Sequence, residues 1–154
     1  MLTCFALIAL ATTSLSGIPT LAGQVEAEAR ELNAETQITP AFIADLHTFS
    51  GNAMVLSDSL RAAGVAQDLP CIFRGISQDT EVRAAEFENA HTDTERTMAF
   101  NDLHALLSDA ILIAPMAAGA AADLQSAQAA AGTSGLASAA PPAPTALTET
   151  ADRR

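Results

Sequence analysis

The residues suited to chemistry form two small sets in this chain of 154 residues. The first is Cys71, within Asp68-Leu69-Pro70-Cys71-Ile72-Phe73-Arg74. Asp68 and Pro70 read as a helix start, which puts Cys71 in the first turn, where free backbone N–H groups favour an anion. Arg74 follows one turn on, while the neighbouring Asp68 opposes that effect. Helical spacing turns Cys71 away from Leu69, Phe73 and Ile76 and toward solvent. A reactive thiol candidate of this kind serves as a small packing residue, as half of an intermolecular disulfide, or as a redox or modification site. Thiol–disulfide oxidoreductase activity is not expected, because no Cys-x-x-Cys pair exists.

The second set is a repeated phrase, Asp45-Leu46-His47 and Asp102-Leu103-His104. Each copy flanks the apolar seam of a long helix. If those helices are neighbours, Asp45, His47, Asp102 and His104 converge as weak candidates for zinc or another transition metal. The spacing lacks His-x-x-x-His or Glu-x-x-His, which presents two ligands from one helix face. The ordinary role is a boundary histidine bonded to water or backbone, so no metal or other cofactor is expected.

Phosphate-binding glycine loops, the nucleophile elbow, the zincin helix and the dinucleotide fingerprint are all missing from the sequence. The carboxylates fit no calcium loop, and Glu81, Glu86 and Glu88 read as solvated helix faces. Met54, Met98 and Met116 stand singly, as core filler does. The expectation is a protein without catalytic activity.

The elements that would position these residues are helices. Residues 39–64 carry the clearest pattern: Phe42, Leu46, Phe49, Ala53, Leu56 and Leu60 alternate by four and three along one stripe. Thr39-Pro40 is a start signal and Gly64 a stop. Gly51, mid-helix, predicts a kink or a close contact. A second long helix within 65–90 has Asp68 as its cap, with Leu69, Ile72, Phe73, Ile76, Thr80, Arg83, Ala84 and Phe87 on its inner side. Thr92 with Glu95 is a capping box that opens a third over 95–116, with a seam of Phe100, Leu103, Leu107, Ala110 and Ala114. Residues 110–114 are apolar nearly all round, which implies burial on several sides or contact with another chain. That run is too short to cross a bilayer, and Pro115 kinks or ends it. Residues 24–36 predict a short, weakly anchored cover helix through Val25, Ala29 and Leu32.

The fold class expected is all-α: a small antiparallel helical bundle of three long helices and one short N-terminal helix, spanning 24–116. Aromatic content of 4%, with no Trp or Tyr, agrees, since strands favour aromatic and β-branched residues. Residues 1–22 read as a signal peptide. They carry no charged side chain, and Thr20-Leu21-Ala22 offers a cleavage site after Ala22. The alternative is a membrane anchor that stays attached. The Ala/Ser/Pro/Thr-rich stretch 117–154 reads as a mostly disordered tail, with a frayed helix at its alanine-rich start.

Charge narrows the partners. Eighteen acids against seven bases, all Arg, give a net charge of −11. Such a surface repels phosphate backbones and anionic headgroups, so nucleic acid and electrostatic membrane binding are both disfavoured. Nor is stable membrane insertion expected after signal cleavage. The sequence thus points to an exported bacterial protein, periplasmic or secreted. It would act through a protein partner or self-association in the envelope. The alternative is a thiol- or metal-responsive protein that uses Cys71 or His47 and His104.

Overall fold

A computed structural model describes residues 15–136, with side-chain surroundings through residue 131. Its longest stretch of well-signalled helix is α2, Pro40–Ala63. Thr39 is extended, and its Oγ1 accepts the Phe42 N–H at 3.1 Å, supplying one of the partners a helix start lacks. At the other end Gly64 adopts φ +80°, a left-handed conformation that glycine takes without a Cβ clash. The Val65 N–H then closes on the Leu60 carbonyl at 3.0 Å. All six stripe residues from Phe42 to Leu60 are buried.

Gly51 is exposed on α2, and a Cβ placed there meets nothing within 4 Å. The helix runs through it, so the close contact expected from sequence is not there. Gly51→Ala should raise stability by about 0.5–1 kcal/mol by removing backbone entropy from the unfolded chain. A higher urea midpoint with unchanged slope would show it.

Helix α3, Asp68–Asn89, starts one residue differently from expectation: Gln67 occupies the cap position and Asp68 is the first helical residue. There its carboxylate still faces the positive end of the macrodipole. Phe73, Ile76, Ala84 and Phe87 are buried, whereas Ile72 is 39% exposed and Arg83 sits at the rim. Thr80 is buried because its Oγ1 donates to the Ile76 carbonyl at 2.7 Å, which satisfies the hydroxyl within the helix. Small hydroxyls also join α2 to α3. Ser50 Oγ lies 3.1 Å from both the Ser77 carbonyl and Ser77 Oγ, and Ser57 Oγ donates to the Pro70 carbonyl at 2.6 Å.

The capping box at the start of α4, Asp93–Leu136, is present in full. Thr92 Oγ1 accepts the Glu95 N–H at 3.2 Å, and Glu95 Oε2 accepts the N–H groups of Thr92 at 3.0 Å and His91 at 2.9 Å. The His91 N–H, then the backbone and hydroxyl of Thr92, hold the Glu95 carboxyl below its ordinary range. A depressed carboxyl stabilises the fold above its unfolded pKa, and that contribution is lost as pH falls through the folded value. Glu95→Ala should therefore flatten the acid limb of a stability–pH curve and speed amide exchange at His91 and Thr92.

Two boundaries differ from expectation. Helix α4 does not stop at Pro115 or Met116, and the frayed helix expected at the alanine-rich start of the tail is instead a continuation of α4 through Leu136. Pro115 removes one intrahelical hydrogen bond, but Ala117 and Ala121 beyond it are fully buried and hold the chain in helix. Helix α1, Ile18–Ala34, begins well before residue 24, behind a 3-10 turn at Leu15–Gly17. Ile18, Ala22, Val25, Ala29 and Leu32 form a continuous buried stripe at spacings of four and three. So α1 is a core helix and not a loose cover. The expected leader 1–22 is divided: residues 1–14 lie outside the described residues, and 15–22 belong to the turn and the first turns of α1. The tail expected over 137–154 likewise lies outside them.

Helix α1 lies chiefly against α4, and α2 against α3, with α3–α4 and α1–α2 closing the sides. Helices α2 and α4 barely touch. Each helix therefore neighbours the next in sequence, and the last neighbours the first. With connections of a few residues this is an antiparallel helical bundle. One end is closed by Phe42, Phe87 and Phe100, whose ring centroids are 6.0, 6.3 and 6.4 Å apart.

Candidate functional site

The bundle order separates the two Asp-Leu-His phrases. They sit on α2 and α4, which lie diagonally, so the four side chains do not converge. His47 Nδ1 is 2.9 Å from Glu81 Oε2 on α3, with both side chains about half exposed. His104 Nδ1 is 2.6 Å from Asn33 Oδ1 on α1, and its ring packs edge-on against Phe100 at 4.4 Å. Asp102 Oδ2 accepts from Arg83 at 3.1 Å. Asp45 lines a groove of about 250 Å³ between α1 and α2 with Glu28, Glu31 and Glu35. Among the described residues, no three His, Cys, Asp or Glu side chains are placed to share a metal ion.

Cys71 is exposed in the first turn of α3, as its spacing predicts. Its N–H reaches back to the Gln67 carbonyl at 3.2 Å. Arg74, one turn on, is engaged elsewhere: its guanidinium reaches Asp58 on α2 at 3.4 Å.

A groove of about 410 Å³ between α3 and α4 is lined by Arg83, Glu86, Asn89, Glu95, Met98 and Asp102, among others. Its one cation is already taken: Arg83 meets Glu86 at 2.7 Å and Asp102 at 3.1 Å. An anion entering there would have to displace two carboxylates. The acidic groove is also committed in part, since Glu28 accepts from Asn52 at 2.7 and 3.0 Å and from Gln24 at 2.9 Å. Neither groove sets a nucleophile beside a base.

The feature that stands out is the outer face of α4. Its inner seam of Leu103, Leu107, Ala110, Ala114, Ala117 and Ala121 is fully buried. On the opposite side Leu112 is 71% and Met116 61% exposed, in line with exposed Gly119. Asp109 and Asp123, both exposed, bracket them at helical spacings of three and four. Neither carboxylate makes an ion pair among the described residues. The sequence pattern marks 110–114 as apolar all round; ending the helix at residue 116 hid the stripe's second half.

Helix α4 also meets the length and composition of a membrane-crossing helix over Asp93–Ala131, with a most apolar 18-residue window of mean hydropathy 1.7 that is 28% buried. Its charge-free stretch, 110–122, is about 20 Å long as helix, short of the roughly 30 Å hydrocarbon layer. No family model, curated protein or solved structure matches this chain.

Proposed function

We propose that this chain is an exported, non-catalytic helical bundle that works by binding or assembly in a bacterial envelope. Its contact surface is the outer face of α4. One observation carries the reading: two large apolar side chains, Leu112 and Met116, stand in solvent on a helix whose other side is fully packed. They add nothing to the bundle's own core, and their adjacency on one stripe sets them apart from the singly exposed Val55, Val82 and Met98. The charge-free leader-like residues and the acidic surface support export and solubility.

The test is a paired recovery from a host that exports the protein. Leu112→Ser with Met116→Ser should abolish a saturable association seen with the wild-type chain while leaving the thermal midpoint unchanged. Equal association by both chains removes the reading.

A thiol-responsive role is the second reading, resting on the exposure of Cys71. Intact mass of non-reduced protein reads it directly: a disulfide-linked dimer or an adduct lost in Cys71→Ser supports it, and a bare monomer does not. The metal-responsive version has lost its geometric basis, since His47 and His104 face different helices.

A further inference from the structure

We propose that the Asp109–Leu112–Met116–Gly119–Asp123 stripe of α4 docks an amphipathic helix of a basic partner protein. This deepens the binding role proposed above and rests on it. The stripe follows the three–four repeat by which one helix seats on another. At its centre Leu112 and Met116 supply apolar area, with 71% and 61% of each in solvent. Gly119 beside them has open space where a Cβ would stand, which lets a second backbone come close.

Charge decides the kind of occupant. Asp109 and Asp123 lie about 21 Å apart along the axis and nearly on one line. They frame the apolar centre with negative charge at both ends. The only arginine on α4 is Arg96, near its start, and Arg83, which shares a groove with Asp109, is already held by Glu86 and Asp102. A second copy of this chain fits badly. Paired antiparallel about Met116, Asp109 would face Asp123; paired parallel, each would face itself. The net charge of −11 adds to that repulsion. A bilayer fits no better, because the framed stretch is too short to span and its ends repel anionic headgroups. What fits is a helix with an apolar stripe about two turns long and a Lys or Arg at each end. Such a partner is steered in by charge and held by apolar contact.

The probe is a fluorescently labelled helical peptide with a leucine stripe flanked by arginines fourteen residues apart, and a twin with glutamates in their place. Anisotropy against the full chain should show saturable binding of the arginine peptide and at least tenfold weaker binding of the twin. Asp109→Asn with Asp123→Asn should cost several-fold in affinity and remove most of the salt dependence. Leu112→Ser with Met116→Ser should abolish binding at unchanged circular dichroism and thermal midpoint. Equal binding of both peptides, still lost in the serine variant, overturns the basic partner and leaves the apolar contact surface standing. No binding of either peptide overturns the docking site itself. A dimer that dissociates on Leu112→Ser, or uptake of the chain by zwitterionic vesicles, overturns it in favour of a second copy or a lipid surface.

Discussion

A chain beginning at Gly23 should unfold about 3–5 kcal/mol more easily than one beginning at Leu15. The difference comes from the first turns of α1. Ile18 is 2% and Ala22 1% exposed, so both contribute their full apolar surface to the core. Losing a buried isoleucine alone costs about 2–5 kcal/mol, from transfer and from the cavity left behind. Shortening α1 also strips contact from the distal half of α4, where Ala117 and Ala121 are buried. Against a total of roughly 5–15 kcal/mol, the short chain would be marginal. Urea unfolding followed by circular dichroism checks it; with no Trp or Tyr, fluorescence does not serve. Coincident midpoints would show that α1 before Gly23 adds nothing. The result bears on processing, because cleavage after Ala22 and burial of Ile18 and Ala22 compete for the same residues. If the long chain is the more stable by this margin, a processed protein would lose part of its core. Intact mass of the chain recovered from a host equipped to export it would then be expected to retain these residues.

The sequence made the all-α bundle legible because its helix signals are local. Thr39-Pro40, Gly64 and the Thr92–Glu95 box each act within four residues of themselves, and each is found in place. The Phe42–Leu60 stripe was readable for a similar reason: six large or small apolar residues in strict phase leave one face to bury. Alanine hid the rest. Ala22, Ala117 and Ala121 are core residues, yet an alanine fits a tail, a leader or a close-packed seam equally well by type. Which it is depends on a partner helix far away in the chain, here α1 against α4. Pro115 reinforced the error, since its local cost argues for a helix end that burial on both sides of it overrides. The metal reading failed on the same kind of information. Two Asp-Leu-His phrases are local, but whether α2 and α4 are adjacent or diagonal is set by the order of packing around the bundle.

Phe42→Ala should destabilise the protein by about 3–5 kcal/mol, acting at the opposite end of the bundle from α1's first turns. Phe42 is 3% exposed and meets Phe87 edge-on at 6.0 Å and Phe100 at 6.3 Å, so one ring joins α2 to both α3 and α4. Truncation leaves a cavity that two rings on different helices cannot jointly fill. Phe42→Leu keeps more of the volume and should lose less. A double-mutant cycle with Phe87→Leu should return a coupling of about 0.5–1.5 kcal/mol, the part due to the edge-on contact itself. Chemical denaturation of the wild type, the three single variants and the double variant measures both numbers; a loss below about 1 kcal/mol for Phe42→Ala would mean the cluster is not what closes that end. Combining Phe42→Leu with Ile18→Val tests whether the two ends are one unit. The residues share no partner, so their effects should add within a few tenths of a kcal/mol in a single cooperative transition. A split transition would instead mean that the α1–α4 pair can open while the phenylalanine end stays closed. That opening would expose the buried alanine face of α4 beside its outer stripe.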